Sequence, residues 1–120
     1  MKTTPEHNAR IAAMTFSSVF PHYVDKVEKK GRNIAELYQV IEWLTALNET
    51  EINRAINEKL TFKDFFARAV LNSKSEFIKG SICGYKIEEL ENPLTKKVRM
   101  LDKLVDELAK GRALDKILRE

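Results

Sequence analysis

Apolar residues recur along most of this chain at intervals of three and four, the period of helices that turn one face to a core. The pattern is densest in NIAELYQVIEWLTAL, residues 33–47, where Ile34, Leu37, Ile41 and Leu44 form one stripe and Val40, Trp43 and Leu47 a second. Asn33 and Glu36 have the spacing at which each side chain can bond the other's backbone N–H, so a helix is expected to start there. So wide an apolar surface needs several covering neighbours, which makes this Trp-containing helix the expected centre of a helical core.

The polar stretch 1–9 holds Pro5, lacks any period and reads as a flexible N-terminal end. Arg10 to Phe16 reads either as a short helix or as an extended arm packing Ile11, Met14 and Phe16 onto the core. A helix with Phe20, Tyr23, Val24 and Val27 on one face is expected from Ser17 or Ser18. Pro21 falls in its first turn, where the N–H that proline lacks would be unpaired anyway, and Gly31 stops it.

Beyond the central helix, Ile52, Ala55, Ile56 and Leu60 keep helical spacing after a cap at Asn48 or Thr50. Thr61 and Asp64 open a shorter helix crowded with Phe62, Phe65, Phe66, Ala69 and Val70, the three phenylalanines being core anchors. Ser73 and Glu76 give one more start signal. Residues 76–91 are read as a helix with Ile78, Ile82 and Tyr85 on one stripe and Cys83, Ile87 and Leu90 on another. Two interior glycines, Gly80 and Gly84, cost that helix about 1 kcal/mol each. The competing reading alternates Cys83, Tyr85 and Ile87 in a strand that pairs with Arg10 to Phe16.

Asn92-Pro93 is the clearest boundary, a cap followed by the proline that suits a first helical position. The helix it opens carries Leu94, Val98, Leu101, Leu104, Val105 and Leu108 to a stop at Lys110-Gly111, after which Leu114, Ile117 and Leu118 can dock a final turn. The expected fold is mainly α, a single compact domain over residues 1–120 with about five to seven short helices. Its alternative is an α+β fold with a short two-stranded ribbon.

Composition supports one core: the chain has 120 residues, 43% of them hydrophobic. No apolar run approaches a membrane span and the N-terminus has no signal-peptide core, so a soluble, cytoplasmic protein is expected. The single cysteine, Cys83, cannot form an internal disulfide, which agrees with a reducing compartment. A net charge of +3, from 21 basic and 18 acidic residues mixed along the chain, is too small to imply nucleic acid by itself.

The chemistry-bearing residues are sparse. His7, His22 and Cys83 lack any metal-site spacing, so no metal and no cofactor are expected. Cys83, with Tyr85, His22 and Tyr23, is the candidate lining of a small-ligand or active-site pocket, although a lone cysteine also packs as a small hydrophobe. Lys26, Lys29, Lys30 and Arg32 bunch at one helix end, and Lys96, Lys97, Arg99 and Lys103 lie along another helix. If these share a face they form a candidate phosphate-contacting patch, though lysines at helix ends also answer the dipole and solvent. Wide apolar helix faces leave room for a homo-oligomer or a protein partner. No catalytic spacing is present, so a non-enzymatic interaction module comes first, with nucleic-acid binding and a ligand pocket near Cys83 as alternatives.

Several stretches, taken together, resemble the bacterial family catalogued as domain of unknown function 2200. They are RIAAMTFSSVFPHYV from Arg10, KKGR from Lys29, IEWLT from Ile41, FF at Phe65, ICG at Ile82, EELENPL from Glu88 and LDKLVDELAKGRALDKILR from Leu101. The resemblance spans about Arg10 to Arg119 and implies a small intracellular bacterial protein, formed by the entire chain. It carries over no activity, cofactor or catalytic residue. Family members usually have glycine after the Trp-Leu-Thr triplet where this chain has Ala46, which implies a helix that runs a little further here.

Overall fold

A computed structural model describes residues 3–119. Met1 and Lys2, the start of the expected flexible end, lie outside the described residues. The rest of that end is helical from Pro5: α1 spans Pro5–Ala13, with Thr4 accepting from the His7 N–H and Pro5 at the first helical position. A proline and a one-turn cap suffice to start a helix that no apolar period announces.

Helix α2 covers Phe16–Glu28, beginning before the expected Ser17 or Ser18 because Thr15 is the cap. Pro21 is therefore interior, leaving the Ser17 carbonyl without the N–H that would normally reach it. The cap is fixed by the tertiary structure, since Thr15 bridges to Thr61, the cap of α5 (Phe62–Arg68), through Phe16 N–H to Leu60 O and Phe62 N–H to Met14 O, both 2.8 Å. That clasp sets the two helix starts side by side and stacks Phe16 on Phe65 at 4.2 Å between centroids. Phe16, Phe62 and Phe65 are fully buried, each contributing about 1.5–3 kcal/mol. Of the residues expected to pack from the Arg10–Phe16 segment, Ile11 and Phe16 are buried and Met14 is exposed.

Helix α3, Ile34–Thr45, starts with the expected reciprocal bonds between Asn33 and Glu36. Leu37, Val40, Ile41 and Leu44 are completely buried. It ends at Ala46, which adopts a left-handed φ of +60°, so the helix does not run on as the alanine implied. Its last four carbonyls all find donors: Glu42 O takes Ala46 N–H, Trp43 O takes Asn72 Nδ2, Leu44 O takes Asn72 N–H and Thr45 O takes Val70 N–H. The connection after α5 thus closes a helix end that would otherwise expose bare acceptors. Between them α4, Glu49–Asn57, is opened by the pair Asn48 and Glu51.

Residues 76–91 do not form the favoured helix. Ser73–Phe77 makes a 3₁₀ turn capped by Asn72, β1 (Ser81–Ile82) pairs antiparallel with β2 (Tyr85–Lys86), and Ile87–Glu89 makes a second 3₁₀ turn. The ribbon closes on itself through Cys83 and Gly84 at φ +52° and +83°, values typical of a two-residue hairpin turn and unavailable inside a right-handed helix. No pairing with Arg10 to Phe16 is needed.

Helix α6, Pro93–Ala109, starts at Asn92 as expected and shares the centre with α3. It packs against α1, α2, α3, α5, the ribbon and the short α7, Leu114–Ile117, whose Ile117 is buried. The result is a single, mainly α domain of seven α-helices with one two-stranded ribbon among the described residues. No described helix is long and apolar enough to cross a membrane.

Candidate functional site

The polar side chains that converge most closely come from α1, α2, α6 and the ribbon. Tyr23, buried on the inner face of α2, donates its phenol proton to Asp102 Oδ1 at 2.6 Å. Asp102 Oδ2 accepts from Arg99 Nη1 at 2.9 Å, one helical turn away on α6. The Arg99 guanidinium lies 5.3 Å from the centre of the Tyr85 ring, which the ribbon lays over it, and His7 of α1 meets the same ring at 5.7 Å. Arg99 Nε and His7 Nε2 are buried without a hydrogen-bond partner. The phenol of Tyr23 is held well above its usual range, first by burial and then by the charge and hydrogen bond of Asp102; Arg99 opposes the rise and Cys83 adds to it. Tyr23 is thus a proton donor to a carboxylate already paired with a cation, an arrangement that orients Arg99 rather than activating a nucleophile.

Of the four residues expected to line a pocket, Tyr23 and Tyr85 meet this cluster from opposite ends. Cys83 sits exposed at the ribbon turn, near enough to influence Tyr23. His22 is exposed on α2, one residue from Tyr23 and turned the other way. Among the described residues no cavity opens between them, and no group of three His, Cys, Asp or Glu side chains is placed to hold a metal. Sequence spacing did not single out Asp102 or His7 for this cluster. The Arg99–Asp102 separation of three on one helix was the available signal, whereas Tyr23 and Asp102 stand 79 residues apart.

Half of the expected basic residues are engaged inside the fold. Lys26 bonds Asp106 Oδ1 at 3.1 Å while Lys110 takes Oδ2 at 3.0 Å. Burial raises the Asp106 pKa, yet the bonds and charges of the two lysines outweigh it and leave the carboxyl below its ordinary value. Arg32 spends its guanidinium on Glu36 and on the carbonyls of Leu108 and Arg112. Arg99 belongs to the cluster above, and Lys103 donates to Ser81 O at 3.1 Å, fastening the ribbon to α6. Lys29 and Lys30 are exposed where α2 ends, and Lys96 and Lys97 are half-buried where α6 begins. Lys26 reaches α6 at Asp106, nine residues beyond Lys97, which puts Lys96 and Lys97 about 14 Å further back along that helix at 1.5 Å per residue.

A family model described as an uncharacterised protein conserved in bacteria, domain of unknown function 2200, matches residues 10–119. The chain belongs to this family. It is also similar to a solved structure titled "Crystal structure of uncharacterized protein SP1917", at 36% identity over 91% of this chain and 90% of that one, with a TM-score of 0.85. No curated protein matches.

This family member also exposes apolar side chains that sequence periodicity assigns to the core or leaves unassigned. Val70 and Phe77, on the connection between α5 and the ribbon, are 71% and 55% exposed. Their exposure does not come from a loose chain: Val70 N–H bonds Thr45 O, Asn72 is held to α3 through its backbone and side chain, and Phe77 O accepts from Arg119 Nε at 3.3 Å. Arg119 is anchored in turn on Glu107 Oε2 at 2.7 Å.

Proposed function

We propose that this protein is a non-enzymatic interaction module that docks on another protein through the connection at residues 69–78, with Phe77 as its anchor. The observation that carries the reading is the contrast along that connection: Ser75 and Ile78 are buried, while the Phe77 ring between them is more than half exposed. An aromatic ring presented on a fixed backbone loses little freedom when covered, and such anchors carry much of the energy of protein contacts. A cytoplasmic setting fits the unpaired, exposed Cys83.

The test compares wild type with Phe77→Ser by sedimentation velocity over a concentration series, and by pull-down from native extract with both proteins immobilised. Self-association, or a retained partner, that the variant loses while keeping its circular dichroism supports the proposal. A strict monomer whose retained proteins are unchanged by the substitution overturns it.

A second reading, a small-ligand site at the Tyr23–Asp102–Arg99–Tyr85 cluster, is favoured by the two unpartnered nitrogens of Arg99 and His7. Native mass spectrometry of untagged protein separates the two, because bound mass lost on denaturation belongs to a ligand and a bare dimer to the interaction module. Nucleic-acid binding rests on Lys29, Lys30, Lys96 and Lys97, and requires affinity for oligonucleotides that falls as salt rises.

A further inference from the structure

We draw no further inference here: the strongest candidate, the half-buried side-chain cluster of His7, Tyr85, Arg99 and Asp102 where the ribbon covers α6, belongs to the site already described, and its unpartnered nitrogens face no cavity among the described residues that would name a ligand.

Discussion

Tyr23 and Asp102 join α2 to α6 through a 2.6 Å hydrogen bond from phenol to carboxylate, and the same carboxylate holds Arg99 against the ribbon. A continuous run of contacts thus leads from α2 through α6 to β2, beside the Lys26–Asp106 pair and the Lys103–Ser81 bond, so removal of the phenol bond is felt beyond the pair. Tyr23→Phe deletes the donor without opening space and leaves Asp102 Oδ1 short of a partner. The expected cost is about 1.5–3 kcal/mol, the range for hydrogen bonds to charged groups. Urea unfolding should show a lower midpoint at an unchanged slope.

Burial of the same phenol, reinforced by the charge and bond of Asp102, gives the protein an alkaline limit. Because the Tyr23 phenol is raised well above its ordinary 10.0, the folded chain keeps a proton that the unfolded chain releases above that pH. Stability from this group is therefore complete below pH 10 and declines as pH rises through the folded value. Tyr23→Phe should flatten that decline in denaturant titrations above pH 10. Tyr38, raised first by burial, supplies a remaining slope of the same sign. An equally steep decline in the variant would remove Tyr23 as the source.

Ala46 ends α3 in the left-handed region with its side chain exposed. Left-handed backbone costs a non-glycine residue about 1–2 kcal/mol, and glycine returns about 0.4–1 kcal/mol of that through its looser unfolded chain. Ala46→Gly should therefore stabilise by about 0.5–1 kcal/mol, read as a higher thermal midpoint. Ala46→Val, β-branched at a positive φ, should destabilise.

How much of this was legible depended on whether the signal was local. The Asn33–Glu36 and Asn92-Pro93 starts were readable because a cap and its partner lie within one turn. The ribbon was not: two-residue strands are too short to show alternation, and Cys83-Gly84 is not the Asn-Gly pair that announces a hairpin. Pro21 suits a helix start later than Thr15, and only the bridge to Thr61, made in the folded state, shows why the earlier cap prevails. Tyr85 and Tyr23 were singled out from sequence, but Asp102 and Arg99, which connect them, could be placed there only by the packing of α2 on α6.

The exposed thiol gives a direct check on the ribbon. Cys83 should react with a thiol reagent in native buffer at a rate close to that of the unfolded protein, since its side chain stands outside the core. Cys83→Asn places Asn-Gly at the turn, matching both positive φ values, and should slow amide exchange at Ile87, whose N–H bonds Gly80 O across the ribbon, without lowering global stability. A thiol protected until unfolding would contradict the turn's position.

Arg32 was expected to contact phosphates, yet its guanidinium lies against Glu36 and two carbonyls where α6 ends, Leu108 O at 3.2 Å and Arg112 O at 2.7 Å. Substitution by alanine leaves those acceptors without their charged donor and should cost about 2–3 kcal/mol. Lysine cannot reproduce the planar fork, so Arg32→Lys should recover only part of the loss. Glu36 adds a pH signature: the hydrogen bond from Arg32 holds its carboxyl below the ordinary 4.5, so the stabilisation is present above that pH and lost as pH falls through the folded value. The gap between wild type and Arg32→Ala should accordingly narrow in acid. If oligonucleotides bind at low salt, Arg32→Ala should leave the salt dependence of that affinity unchanged, whereas Lys29→Glu with Lys30→Glu should reduce it. A flatter salt dependence in Arg32→Ala at unchanged stability would return Arg32 to the phosphate-binding role and remove it from the fold's end clasp.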